Sequence, residues 1–302
     1  MPDFNSPEIY RTVLESLHTG VYLVDRERRI VFWNDGAERI TGHRRHDVLG
    51  RFCRDNILMH CDENNKQLCG EACPLTDVMR DGHARDAEVY LLHRDGHRVA
   101  VVVRAVPIRD SHGTVIGAAE SFSECESAVT PERRGCSMAS VGKTDDKTGL
   151  PDHAFTESLL REAIVLFANQ SLPFGVIRMQ VDQLEEFKAQ HGQGAADSIL
   201  RVVAETLKNT LRRDDMLGRW AEDQFLAIVP FCSSLDKLAA RWQGVVNSSG
   251  IPWWGDHLSV TISIGGTRHH ADDTVETMLQ RTLQALQQSL ARGGNCYSER
   301  LA

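Results

Sequence analysis

The sequence predicts two dissimilar domains, an α+β unit with an antiparallel sheet and short helices, followed by an α/β unit whose central mixed sheet is flanked by helices. Three observations carry this reading. The first 125 residues hold short strand-like runs broken by turns. From residue 146 onward, strand-like runs alternate with helical stretches of ten or more residues. Between them, "ESAVTPERRGCSMASVGKTD" (126–145) is rich in Ser and Gly, and no helical stripe survives Pro131 and Gly135. The domains expected are 1–125 and 146–302, with 126–145 as a tether.

The 302 residues suffice for two cores, and 41% hydrophobic with 25% charged residues is the balance of a soluble globular protein. A formal net charge of −8 argues against broad nucleic-acid or anionic-membrane binding. No apolar run reaches the ~18–20 residues of a membrane span, and the acidic, amphipathic start lacks the regions of a signal peptide. A cytoplasmic protein with no membrane insertion and no nucleic-acid partner is expected. Eight cysteines in a reducing compartment point to core residues or ligands, not to a disulfide framework.

In the first domain, "GVYLVD" (20–25) and "RRIVFWN" (28–34) are β-branched and aromatic runs joined by a charged turn, which predicts a hairpin. "DGAERITGHRRHDVLG" has short helical periodicity punctuated by glycines. The runs 86–95, 97–108 and 114–123, separated by "RDGH" and "DSHG", predict an antiparallel meander. This order and the opening "GVYLVDRERRIVFWNDGAERITG" followed by "VLGR" resemble the PAS domain family over about residues 7–125. The resemblance implies a sensory module with a ligand or cofactor pocket inside a curved sheet.

Within this domain, Cys53, Cys61, Cys69 and Cys73 fall inside 21 residues. Thiolates at loop spacing suit zinc or an iron–sulfur cluster, with His60 an alternate ligand. The spacing C-x7-C-x7-C-x3-C matches no standard metal motif. Thiol switching and simple apolar burial are the alternatives.

In the second domain, "FGVIRMQV", "FLAIVPF" and "HLSVTISIGG" read as strands. "GAADSILRVVAETLKNTL", "SLDKLAARWQGVVNS" and "TVETMLQRTLQALQQSLARGG" read as helices, the last closing on Gly-Gly. Three ordered stretches, "DDKTGLPDH" (145–153), "GRWAEDQF" (218–225) and "VTISIGG" (260–266), resemble the landmarks of GGDEF domains, the diguanylate cyclases. Active members condense two GTP molecules into cyclic di-GMP, one held by each half of a dimer. The resemblance therefore implies a homodimer, a signalling partner and magnesium wherever GTP is still bound.

Carried over position by position, much of that machinery is altered. In "QVDQLEEFKAQHGQGAAD" (180–197) the first metal-binding Asp is Gln180, the guanine-reading Asn is Lys188, and the closing Asp persists as Asp197. A neutral amide is a poor magnesium ligand. In the signature, Ala221 and Glu222 replace the two glycines, Asp223 keeps a carboxylate, Gln224 replaces an acid, and Phe225 is retained. Glutamine cannot act as a base. The Lys and Arg that clamp phosphates fall on Leu290 and Gly294, with Arg292 out of register. A catalytically degenerate domain is expected, with Asp182 and Asp223 as remnant carboxylates.

Arg212 and Asp215 stand at the spacing of the R-x-x-D motif that binds cyclic di-GMP in this family. A guanidinium can hold guanine or phosphate through paired hydrogen bonds, and the carboxylate can accept from guanine N–H groups. The plain alternative is a solvated helix end with a capping Asp. The leading expectation is a cyclic di-GMP receptor or regulatory module. A weak cyclase using Asp182 and Asp223, and a metal or redox sensor with a dimerisation scaffold, are the alternatives.

Overall fold

The computed structural model of the chain describes residues 6–301 apart from 56, 64–65, 70–72, 126–142, 170–171, 233 and 254–255. It divides into two compact units, Met1–Cys125 and Glu126–Ala302. Residues 126–142 of the expected tether lie outside the described residues. No helix among the described residues is long and apolar enough to cross a membrane.

The first unit opens with α1 (Pro7–Ser16), capped by Ser6 and started by Pro7. Strands β1 (Gly20–Asp25) and β2 (Ile30–Trp33) form the expected hairpin. Asn34 then caps α2 (Asp35–Thr41) through its side-chain oxygen, which also accepts the Val21 N–H. Gly42 closes α2 at φ +71°, the left-handed conformation that favours glycine. Short α3 (Arg45–Val48) and α4 (Pro74–Asp81) precede the meander β3 (Arg85–Leu92), β4 (Arg98–Arg109) and β5 (Val115–Glu124). The antiparallel sheet runs β2-β1-β5-β4-β3. Its inner face buries Tyr22, Trp33, Leu91, Val101 and Phe122 beneath the helices and the cysteine-rich segment.

The second unit contains α5 (His153–Asn169), β6 (Phe174–Val181), α6 (Leu184–His191), α7 (Gln193–Lys208), β7 (Met216–Ala221), β8 (Gln224–Pro230) and α8 (Asp236–Asn247). The small hairpin β9 (Ile251–Trp253) and β10 (Asp256–Leu258) follows, then β11 (Ile262–Arg268), α9 (Val275–Ala291) and β12 (Tyr297–Glu299). The mixed sheet runs β12-β11-β6-β8-β7, with β11 and β12 parallel. One core, centred on Phe225, Ile199, Trp242 and Ile262, lies under α7 and α8. A second, with Leu160, Trp220 and Met278, lies under α5 and α9.

One expected strand is divided. The run 257–266 is β10 and β11 with an interruption at residues 259–261. The reason is polar. Thr261 turns its carbonyl and hydroxyl to Asp182, so it leaves the ladder to satisfy that residue.

Candidate functional site

The signature hairpin is β7, a two-residue turn at Glu222 and Asp223, and β8. Sheet order places β6 beside β8, and their register sets Gln180 directly opposite Gln224. The two amides bond, with Gln224 Nε2 donating to Gln180 Oε1 at 2.9 Å. Arg178 Nε completes the chain by donating to Gln224 Oε1 at 2.8 Å. Two carboxylates at these opposed positions would repel without a cation between them. Two neutral amides satisfy one another. The residues named separately from the sequence are one bonded unit here, and Arg178 is the member that sequence reasoning missed.

The other altered positions are also engaged internally. Lys188 Nζ lies 3.6 Å from Glu222 Oε1 and 3.8 Å from Glu185 Oε1. The substitution in α6 thus meets the substitution in the hairpin. This pair is largely exposed, so Lys188→Ala is expected to change unfolding free energy by less than about 1 kcal/mol in urea denaturation. Asp197 accepts from Lys147 Nζ and Gln193 Nε2, each at 2.8 Å, and the Lys147 bond holds its carboxyl below the usual range.

Asp182 is a junction rather than an open ligand. Its oxygens accept from Thr261 Oγ1 at 2.6 Å, Ser263 Oγ at 2.5 Å and the Asn295 backbone N–H at 3.0 Å. Gly294 has φ +78°, and an added Cβ would press on Asp182 and Ser263 at 3.3 Å. The expected phosphate-clamp position is therefore backbone packed against Asp182. Arg292 caps the end of α9 and reaches the Tyr297 carbonyl at 3.3 Å. Asp223 is half-buried at the turn, where desolvation raises its carboxyl and Arg219 partly offsets that rise. Its backbone carbonyl accepts from Val181 N–H at 2.9 Å.

Beside the hairpin lies a hollow of about 320 Å³ lined by Asp145, Lys147, Asp152, Arg219, Ala221 and Glu222, among others. Three carboxylates against two cations form a poor seat for a triphosphate. Ala221 is exposed at the rim, whereas Phe225 is fully buried and carries the Arg219 guanidinium 5.1 Å from its ring centre.

Arg212 and Asp215 are brought together in the turn before β7. The Asp215 carboxylate accepts the Arg212 backbone N–H at 2.8 Å, and the Arg212 carbonyl accepts from Asp215 N–H at 3.1 Å. Arg212 is exposed, while Asp215 is buried, which pushes its carboxyl up. The Arg212 charge partly offsets the rise at Asp215. The carboxylate primarily shapes the turn.

In the sensor unit, the cysteine expectation meets a different geometry. Among the described residues there is no group of three or more His, Cys, Asp or Glu side chains placed to hold a metal. Cys53, Cys61, Cys69 and Cys73 form no disulfide among the described residues. The physical reason is local: Cys61 is stitched by backbone bonds to Tyr90 on β3, whereas Cys53 and Cys73 sink into the apolar core. Burial pushes the Cys53 thiol up to about 12 and the Cys69 thiol to about 11. Cys53 and Cys69 both feel the charge of a residue sequence reasoning did not single out, Glu120, 1% exposed on β5.

Comparison with known proteins agrees with this architecture. Residues 142–296 match the family described as "Diguanylate cyclase, GGDEF domain", and residues 8–120 match the PAS fold. The probable diguanylate cyclase DgcE of Escherichia coli is 25% identical over 87% of this chain, which spans 23% of DgcE. The response regulator PleD of Caulobacter vibrioides is 27% identical over 50% of this chain and 35% of its own length. The chain thus covers well under half of either relative. The GGDEF domain of DgcB from Caulobacter crescentus, solved in complex with c-di-GMP, superposes with a TM-score of 0.50 at 18% identity, covering 52% of this chain and 94% of that one. That likeness is one of fold.

Proposed function

We propose that this chain, which belongs to the GGDEF family and carries a PAS fold ahead of that domain, is a signalling protein whose GGDEF domain regulates without condensing GTP. The observation that carries the reading is the Gln180–Gln224 bond at 2.9 Å. It places two neutral, mutually satisfied amides where the family resemblance calls for a magnesium ligand and an acidic group. Phosphoryl transfer depends on positioning and charge neutralisation, so losses at the metal, the base and the phosphate clamp act on the same step. Each missing contact costs about 2–4 kcal/mol of transition-state stabilisation.

The exposed Arg212 guanidinium is the group this reading assigns to cyclic di-GMP, with Asp215 holding the turn that presents it. A dinucleotide carrying two phosphates and two guanines offers both of the surfaces a guanidinium binds well. The domain would pass occupancy to a protein partner or a second copy of the chain.

The test is a pair of measurements on one sample of the full chain. Incubation with GTP and Mg²⁺ or Mn²⁺, followed by product chromatography, is expected to yield no cyclic di-GMP. Calorimetric titration with cyclic di-GMP is expected to show binding that Arg212→Ala weakens by at least about tenfold, the effect of one charge-assisted contact. Product formation that disappears in Asp223→Ala would overturn the non-catalytic reading. Absence of binding heat in wild type would overturn the receptor role.

A further inference from the structure

Five arginines gather on two adjoining stretches of the sensor. Arg26, Arg28 and Arg29 lie in the turn between β1 and β2, and Arg51 and Arg54 lie in the segment after α3. Backbone bonds hold the two stretches side by side. Ile30 N–H donates to the Arg51 carbonyl at 2.9 Å, Gly50 N–H to the Ile30 carbonyl at 2.8 Å, and Cys53 N–H to the Arg28 carbonyl at 3.4 Å. Phe52 pairs with Arg29 across this seam, and its ring carries two guanidiniums. The Cζ of Arg29 is 4.3 Å from the ring centre and that of Arg54 is 5.5 Å away. Arg26, Arg29, Arg51 and Arg54 are exposed, while Arg28 and Phe52 are half-buried.

The charge of this group is not neutralised in place. Elsewhere in the unit Arg45, Arg80, Arg85, Arg94 and Arg104 each have a carboxylate within ion-pair distance. Among the described residues, Arg26, Arg28, Arg29, Arg51 and Arg54 have none. Asp25, Glu27 and Asp55 belong to the same stretches. Asp25 turns its Oδ1 to the Arg29 backbone N–H at 2.8 Å, and Asp55 meets Arg51 through its backbone carbonyl at 3.2 Å. The other braces are neutral too: Arg26 donates to the Val115 carbonyl at 2.7 Å, Arg28 to the Thr76 hydroxyl at 3.2 Å, and Arg29 to the Gly50 carbonyl at 3.2 Å. A guanidinium carries five N–H donors, so a single brace fixes its position and leaves donors for a further acceptor.

The backbone adds an independent observation. Arg28 sits at φ +67°, the left-handed region that glycine enters freely and long side chains seldom occupy. Strain of this kind clusters where a side chain serves something besides the fold.

We propose that this surface docks a short acidic segment of a protein partner, with Asp or Glu carboxylates seated on Arg29, Arg51 and Arg54. Arginine suits this role because its planar fork meets both carboxylate oxygens at once. A short segment fits better than a long polyanion. Attraction between exposed charges is screened beyond about 8 Å at physiological salt. Asp25, Glu27 and Asp55, in a chain of net charge −8, oppose a run of phosphates or an anionic membrane laid across the patch.

Fluorescence anisotropy of a labelled octaglutamate peptide titrated with the full chain tests the surface. Saturable binding is expected, weakening as salt is raised. Arg29→Gln combined with Arg54→Gln should weaken it by at least about tenfold, through loss of charged hydrogen bonds. Arg104→Gln removes an arginine already paired with Asp86 and should leave binding within about twofold. Arg28→Gly separates presentation from folding. Relief of the left-handed strain should keep the urea midpoint from falling, while peptide binding weakens. No saturable binding, or equal binding by wild type and the double variant, would overturn the proposal. So would a loss in Arg104→Gln as large as that in the double variant. Tighter binding of a single-stranded oligonucleotide of equal charge, or of vesicles containing anionic lipid, would overturn the protein partner. A lower midpoint with unchanged binding in Arg28→Gly would remove that residue from the surface.

Discussion

Gly265→Ala is expected to destabilise the GGDEF unit by roughly 3 kcal/mol or more. The residue lies on β11, where an added Cβ would fall 2.2 Å from the Leu286 backbone nitrogen and 2.5 Å from the Thr282 carbonyl oxygen of α9. Backbone cannot rotate out of the way as a side-chain tip can. The strand cannot slide either, because β11 is bonded to β6 on one side and β12 on the other. Either α9 lifts off the sheet and exposes its own buried Met278, Ala285 and Leu286, or the sheet buckles. Denaturant unfolding of the full chain should show the second unit's transition at lower denaturant, with the sensor unit's transition unmoved. Gly194→Ala is the control, since nothing lies within 4 Å of its Cβ and it sits in α7. That change should gain about 0.5 kcal/mol.

Asp182→Ala is the second large effect, a loss of roughly 2–4 kcal/mol. The substitution strands the hydroxyls of Thr261, at the end of the β10–β11 interruption, and Ser263, on β11, and leaves the Asn295 N–H of the turn after α9 with Ser263 Oγ alone. Asp182→Asn keeps an acceptor and should lose less. Asp223→Ala, at a half-buried turn position with no such cluster, should change stability by less than about 1 kcal/mol. The contrast separates a carboxylate that holds three segments together from one that the fold can spare. Urea melts of the three variants read it directly.

Much of the architecture was legible because hydrophobic period and punctuation agree locally. "HRVAVVVRAVPI" is apolar, β-branched and bounded by turns, and it folds as β4. "TVETMLQRTLQALQQSLARGG" has the helical stripe and the Gly-Gly stop of α9. The fold resemblance also fixed which substitutions to examine. What stayed hidden depends on partners far along the chain. The identities of Gln180 and Gln224 were plain, but their bond depends on β6 lying beside β8 in one register. Glu120 looked like an ordinary polar position of a strand, because nothing in "TVIGAAESFS" says which face Tyr22 and His60 will occupy. The cysteine spacing suggested convergence, yet backbone pairing to β3 fixes Cys61 independently of the other thiols.

The amide bridge in the hairpin also bears on how such a domain changes by mutation. Gln180→Asp alone puts a shorter, anionic acceptor opposite Gln224, while Gln224→Glu alone removes the donor to Gln180 and leaves Arg178 to hold a new charge. Neither first step restores a metal site, and each disturbs a satisfied pair. On the non-catalytic reading proposed above, the two glutamines and the Lys188–Glu222 pair beside them would hold each other in place, so that single changes toward the family pattern meet resistance from contacts already made.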